Sequence, residues 1–167
     1  LMYLNNYITF IFIFFLISLS IYFYKHLVFF NLILIIFIFS CYQLFHSDRY
    51  IFYVIVLVSF INDSSAYFFG NLIKGPYIIP KISPKKTWSG TSLSIIISFI
   101  FLFFYFNFSL IISFIVSFLF FLGDIYFSFI KRKYQIKDFS NIIPGHGGLL
   151  DRIDSFLFPI ILVSISL

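Results

Sequence analysis

Long apolar runs constrain this chain more than any other feature. A helix that crosses a bilayer needs about 20 mostly apolar residues, and backbone groups in hydrocarbon must bond within their own helix. Six runs approach this length, so we expect an all-α fold, a polytopic bundle of about six transmembrane helices forming one domain over residues 1–167. The expected spans are Tyr7–Tyr24, Leu27–Phe45, Tyr50–Phe69, Thr91–Phe106, Phe108–Ile130 and Ile153–Leu167.

Composition supports the bilayer as the solvent. The chain is 62% hydrophobic and 10% charged, which leaves too few polar residues to cover a soluble domain of 167 residues. The first run lacks a basic start and a small-residue cleavage site, so we interpret it as a span and not as a signal peptide. The fourth and sixth runs are short, and Pro159 lies in the sixth, which makes them candidates for tilted, broken or partly inserted helices.

Basic residues divide the loops between the two membrane faces. With six spans, three loops share one face, and positively charged loops are typical of the cytoplasmic side. We therefore expect a multi-pass protein with both termini outside. We also expect it to lie in a bacterial-type inner membrane and to have no nucleic-acid partner. Arg49 lies on the outer face, and the ten basic residues of the other face are Lys25, Lys74, Lys81, Lys85, Lys86, Lys131, Arg132, Lys133, Lys137 and Arg152.

Four aspartates lie in or beside the apolar runs. Asp63 and Asp124 each precede the cytoplasmic end of a span by six residues, about 9 Å along a helix. Asp151 and Asp154 are three residues apart at the entrance of the last span, so both can face one side. Ionised carboxylates in hydrocarbon need a cation, a metal or water. Oxygen ligands suggest a shared Mg²⁺ site. The alternative is four separate snorkelling or salt-bridged carboxylates, with Arg152 or Lys131 as partners.

The loops around these aspartates carry groups that bind phosphate. Small residues let backbone N–H groups approach an anion, and a helix start adds its dipole. Ser128 follows Asp124 by four residues, on the same helix face; an ordinary hydrogen bond to the preceding turn is its alternative role. His146 is a candidate for phosphate contact or proton transfer. The phosphate-binding candidates are Lys85, Lys86, Lys131, Arg132, Lys137, Gly147, Gly148 and Arg152.

The segment Gly123–Ser155 resembles the signature of the phosphatidate cytidylyltransferase (CDP-diacylglycerol synthase) family. The residues from Ser128 to Asp154 fill the family pattern without a gap. That pattern is S-x-x-K-R, then K-D, then P-G-H-G-G-x-x-D-R-x-D. Two upstream pieces, Asp63–Gly70 and Ser83–Gly90, are also similar to the family. Ser89 stands where the family usually has Glu. Residues 1–49 match only in hydrophobicity and are shortened relative to many members.

The resemblance implies transfer of a cytidylyl group from CTP to phosphatidic acid, giving CDP-diacylglycerol and diphosphate at the cytoplasmic face. It points to Asp124 and Asp151 as metal ligands, with Asp154 and Asp63 next. One or two divalent ions, Mg²⁺ by preference, would be held there, with a monovalent ion as a further candidate. Ser128 and His146 would orient phosphate or water. The catalytic set it implies is therefore Asp124, Ser128, His146, Asp151 and Asp154.

Three other functions fit parts of the sequence. A related membrane enzyme that uses CTP, of the CDP-archaeol synthase or polyprenol kinase type, would differ in the lipid accepted. A non-catalytic, degenerate family member is a second alternative, against which the filled Asp, Lys and His positions argue. A transporter is the third, although the outer half of every span lacks charge. We also expect a homodimer, since six thin spans enclose little volume.

Overall fold

The protein, seen in a computed structural model, is described over residues 28–136 and 153–166, without the side chains of Val28, Phe29 and Lys85. Five α-helices occur in these ranges, with a two-stranded hairpin between the second and third and a π-helical segment, Phe101–Tyr105, after the third. The helices are α1 (Val28–Ser47), α2 (Arg49–Ile73), α3 (Trp88–Ile100), α4 (Leu110–Lys133) and α5 (Leu157–Ser166), and the strands are β1 (Tyr77–Ile79) and β2 (Ser83–Thr87).

Four helices are long and apolar enough to cross a membrane. These are α1, α2, α3 with its π-helical extension, and α4, at 18 to 25 residues each. They confirm the all-α membrane fold. The expected span Ile153–Leu167 is instead a turn followed by the ten-residue α5, about 15 Å long and half the thickness of a hydrocarbon core. Because Tyr7–Tyr24 lies outside the described residues, the number six stays a prediction.

Short polar residues fix where the helices begin. The Asp48 carboxylate accepts hydrogen bonds from the backbone N–H groups of Tyr50 and Ile51 at 3.0 and 3.2 Å, which caps α2. Thr87 caps α3 in the same way through the N–H of Gly90. At its other end α2 stops at Lys74, which has φ 50° and ψ 49°, the left-handed conformation usual after a helix C-terminus.

Helices α2 and α3 pack closely together, and glycine makes that approach feasible. A Cβ on Gly90 would lie 2.5 Å from the carbonyl oxygen of Ala66 and 2.9 Å from the Cα of Gly70. Small residues at a membrane helix interface let backbones come together and favour hydrogen bonds between helices. One such bond runs from Ser98 Oγ to Asn62 Oδ1 at 3.2 Å. The buried apolar core includes Leu44, Ile55, Val58, Val116, Phe120, Leu157 and Ile160.

The hairpin is tied to helices on both sides. Tyr77 pairs with Thr87 and Ile79 with Ser83 in an antiparallel ladder. Arg132, near the end of α4, donates from Nε to the carbonyl of Ile82 at 3.2 Å. Helix α2 continues to Ile73 before the hairpin begins, beyond Phe69, where the predicted span ended.

Candidate active site

Three of the four aspartates singled out in the sequence line one cavity of about 280 Å³. Asp63 comes from α2, Asp124 from α4, and Asp154 from the turn before α5, while β2 contributes Lys86. These segments are far apart in the chain, and the packing of the helices brings them to one place. We call this space the carboxylate cavity. Its other described lining residues are Ala66, Tyr67, Thr87 and Thr91.

Lys86 is a cation in direct contact with this cluster. Its ammonium donates to Asp124 Oδ2, and the two side chains are 27% and 15% exposed. The hairpin therefore delivers a charge to a carboxylate 38 residues further along the chain. A partly buried ion pair of this kind is costly to leave unmatched, so removing either partner should disturb the site.

Asp63 is held by a chain of side-chain hydrogen bonds. Asn62 Nδ2 donates to Asp63 Oδ1 at 3.4 Å, and Ser155 Oγ donates to Asp63 Oδ2 at 3.2 Å. Asn62 is 2% exposed, and its own carbonyl oxygen accepts from Ser98. These hydrogen bonds link α3, α2 and the turn before α5, so they hold the Asp63 carboxylate from two sides.

Asp154 is positioned by its own turn and by α4. The backbone N–H of Ser155 donates to Asp154 Oδ1 at 2.9 Å. A Cβ on Gly123 would lie 2.3 Å from the carbonyl oxygen of Asp154, so the absence of a side chain there lets α4 touch the turn. Because Gly123 directly precedes Asp124, this contact sets the spacing between Asp124 and Asp154.

The surroundings of Asp154 favour its neutral form. Asp154 lies in the turn, outside the helices, and the pKa of its carboxyl is raised to about 7, chiefly by burial. The carboxylates of Asp124 and Asp63 contribute to this rise, while Lys131 and Lys86 oppose it. Among the described lining residues, three carboxyl groups share the cavity with one ammonium group, and a bound cation would relieve the repulsion between the carboxylates.

The carboxylate oxygens suit a divalent cation such as Mg²⁺ by chemical type. Within residues 28–136 and 153–166, no three acidic, His or Cys side chains are close enough to surround one ion. From these residues, one or two carboxylates could hold an ion together with substrate phosphate oxygens, which is the usual mode for Mg²⁺. Asp151, predicted as a ligand, lies outside the described residues.

Other predicted residues are placed near the cavity without lining it. Ser128 is half-buried on α4, one turn after Asp124. Arg132 is exposed and donates to the carbonyls of Ile82 and Ile136, so its visible contacts hold the hairpin. Lys131 is half-buried and acts on Asp154 through its charge. The side chain of Lys85 is not described, and Lys137, His146, Gly147, Gly148, Asp151 and Arg152 lie outside the described residues.

Several residues of this site were not predicted from the sequence. Asn62 and Ser155 position Asp63, and Thr87 and Thr91 line the cavity. Asn62 and Ser155 each adjoin one of the aspartates, and a polar residue at such a position inside an apolar run was the available signal. Tyr67 gave no such signal, because aromatic residues near a span end are common anchors.

The fold and this cavity define a helical integral membrane protein with a cluster of carboxylates and a lysine inside its bundle. A family model described as "Cytidylyltransferase family" matches residues 1–167, and the chain belongs to this family. The resemblance found in the sequence is thereby confirmed.

Curated relatives agree with the family. The chain is 38% identical over 118 residues to the phosphatidate cytidylyltransferase of Bacillus subtilis (strain 168), covering 65% of this chain and 44% of the relative. It is 35% identical over 126 residues to that of Rickettsia felis, covering 66% and 56%. It is 38% identical over 128 residues to that of Staphylococcus haemolyticus, covering 71% and 49%. The chain spans about half the length of these relatives.

Proposed function

We propose that this protein is a phosphatidate cytidylyltransferase, which converts CTP and phosphatidic acid to CDP-diacylglycerol and diphosphate. The observation that carries the proposal is the meeting of Asp63, Asp124, Asp154 and Lys86 in one cavity. The relatives named phosphatidate cytidylyltransferase support the substrates.

The reaction transfers the cytidylyl group of CTP from diphosphate to the phosphate of phosphatidic acid. An oxygen of the phosphatidate phosphate attacks the α-phosphorus of CTP, and the bond from that phosphorus to the oxygen bridging it to the β-phosphorus breaks, releasing diphosphate. The nucleophile is already ionised, so no general base is needed, and the protein's task is to position two phosphates and neutralise their charge.

The described residues can perform this task together. Lys86 places a positive charge in the cavity, where phosphate oxygens can replace Asp124 as its partner. Asp124 and Asp151 are the proposed holders of Mg²⁺, with Asp154 and Asp63 beside them. When bound, Mg²⁺ would supply charge neutralisation to the triphosphate. The hydrogen bonds from Asn62 and Ser155 keep Asp63 in place during this exchange.

The cavity opens to the cytoplasm in this proposal. The support is the distribution of charge, since ten of the eleven basic residues fall in loops of one face under a six-span topology. The acyl chains of the lipid would stay in the bilayer beside α2, α4 and α5. A homodimer is part of the same proposal, and the molecular mass of the purified protein in detergent tests it.

An assay with purified protein tests the activity. The protein in detergent is incubated with labelled CTP, phosphatidic acid and Mg²⁺, and lipid-soluble cytidine is measured for the wild type, Asp124→Asn and Lys81→Met. Lys81 lies in the hairpin turn, is exposed and does not line the cavity. We expect product from the wild type and Lys81→Met, and a loss of about 100-fold or more in Asp124→Asn. Absence of product from the wild type with any lipid phosphate would contradict the proposal.

A further inference from the structure

A second cavity adjoins the first one. It has a volume of about 430 Å³ and shares Ala66, Tyr67 and Thr87 with the carboxylate cavity as a common wall. Among the described residues, none of its lining side chains is acidic. We call it the hairpin cavity, since the end of α2, the turn after it and the hairpin supply its remaining described residues, Gly70, Asn71, Lys74, Gly75, Tyr77 and Pro84.

The chemistry of the hairpin cavity differs from that of its neighbour. The side chains of Tyr67 and Tyr77 are 76% and 58% exposed, and aromatic faces of this kind stack nucleobases. The Asn71 amide offers a donor and an acceptor side by side. Cytosine presents the complementary pair, an amino donor beside a ring-nitrogen acceptor. Lys74 adds a positive charge at the rim, which suits an anionic nucleotide.

The walls of the hairpin cavity are fixed by backbone contacts. The N–H of Gly75 donates to Ser89 Oγ at 3.2 Å, and the N–H of Trp88 donates to the carbonyl of Pro76 at 2.9 Å. A Cβ on Gly75 would lie 2.7 Å from Ser89 Oγ, so the turn rests directly on the start of α3. Ser89, which departs from the family pattern, thus supports this wall. A cavity held in this way can bind a ligand without first being ordered.

We propose that the hairpin cavity binds the nucleoside half of CTP, with the base on a tyrosine ring and its edge on Asn71. The triphosphate then passes Thr87 into the carboxylate cavity, where Lys86 lies. This assignment rests on the proposed function. The diacylglycerol part of the other substrate needs an outlet into hydrocarbon, whereas a helix end, a turn and a hairpin surround this cavity. The nucleoside therefore fits it better than the lipid does.

Two small ligands separate the halves of the nucleotide in a binding experiment. CMP carries the nucleoside, and inorganic diphosphate carries only phosphates. Dissociation constants for both are measured by direct binding to the wild type, Asn71→Leu, Tyr77→Leu and Tyr50→Leu. Tyr50 is a matched control because it is 62% exposed at the opposite end of α2. We expect Asn71→Leu and Tyr77→Leu each to weaken CMP binding about tenfold while diphosphate binding stays at the wild-type value.

The outcomes distinguish this assignment from the proposed function. Unchanged CMP binding in Asn71→Leu and Tyr77→Leu would overturn the assignment, as would an equal loss of both ligands. A raised KM for phosphatidic acid with an unchanged KM for CTP would assign the hairpin cavity to the lipid headgroup instead. Retained diphosphate binding shows that a variant is folded. If the wild type binds CMP but forms no lipid-soluble cytidine, the proposed function fails and the nucleoside site stands.

Discussion

Gly123→Ala tests whether the spacing of two aspartates controls activity. Gly123 is the point at which α4 touches the turn that carries Asp154, and it directly precedes Asp124. The added Cβ would lie 2.3 Å from the Asp154 carbonyl oxygen and 3.0 Å from that of Ser155. Ordinary contact begins at 3.4 Å, so the turn and the helix must separate by about 1.1 Å. Both atoms belong to the backbone, and no side-chain rotation can relieve the clash.

The expected cost is small in stability and large in activity. Overpacking costs about 1–3 kcal/mol, and the gain in helix propensity from Gly to Ala returns about 1 kcal/mol. The variant should therefore fold, with stability lower by no more than about 2 kcal/mol. A displacement of about 1 Å in a reacting site can cost about 100-fold in rate, so we expect kcat/KM to fall by that order.

The assay compares Gly123→Ala with Ile111→Ala. Ile111 lies on the same helix, is 69% exposed and does not line the carboxylate cavity. Formation of lipid-soluble cytidine and the thermal midpoint in detergent are measured for both variants. We expect a large loss of activity in Gly123→Ala alone, at a thermal midpoint close to that of the wild type. Wild-type activity in Gly123→Ala would refute it.

Three further perturbations act on the same site. Lys86→Met should lower kcat/KM about 100-fold or more, since it leaves its aspartate partner unpaired, whereas Lys81→Met should not; equal effects in the product assay would contradict this. Ser155→Ala removes one hydrogen bond to Asp63 and should lower kcat/KM about two- to tenfold, with Ser166→Ala as the control at the far end of α5. An unchanged kcat/KM in Ser155→Ala would show that this hydrogen bond does not contribute to activity. Chelation with EDTA should abolish product formation and added Mg²⁺ should restore it, while activity persisting in EDTA would argue against a divalent ion.

Much of the helical architecture could be predicted, because apolar length is a strong local signal. The expected span Leu27–Phe45 became α1 (Val28–Ser47), and Phe108–Ile130 became α4 (Leu110–Lys133). The C-terminal ends of both helices moved outward, since a helix continues into polar residues after its apolar run stops. Asp63 is consequently ten residues, about 15 Å, from the end of α2 and not the 9 Å expected from the apolar run.

The aspartates of the site could be predicted from the sequence, whereas the residues that contact them were harder to predict. Charged residues in apolar runs are costly, which is why Asp63 and Asp124 could be chosen without a structure. The pairing of Lys86 with Asp124 depends on a hairpin whose strands have three and five residues, one of them containing Pro84. Strands this short carry no periodic signal. The hydrogen bond from Ser98 to Asn62 likewise depends on which helix packs beside α2.

The most direct test of the central claim follows the label of CTP. Purified protein is given phosphatidic acid, Mg²⁺ and CTP labelled at either the α- or the γ-phosphorus, and the lipid fraction is counted. Cytidylyl transfer predicts that the α-label enters the lipid and that the γ-label leaves as diphosphate. Entry of the γ-label into the lipid would mean that the protein is a CTP-using kinase and would contradict the account.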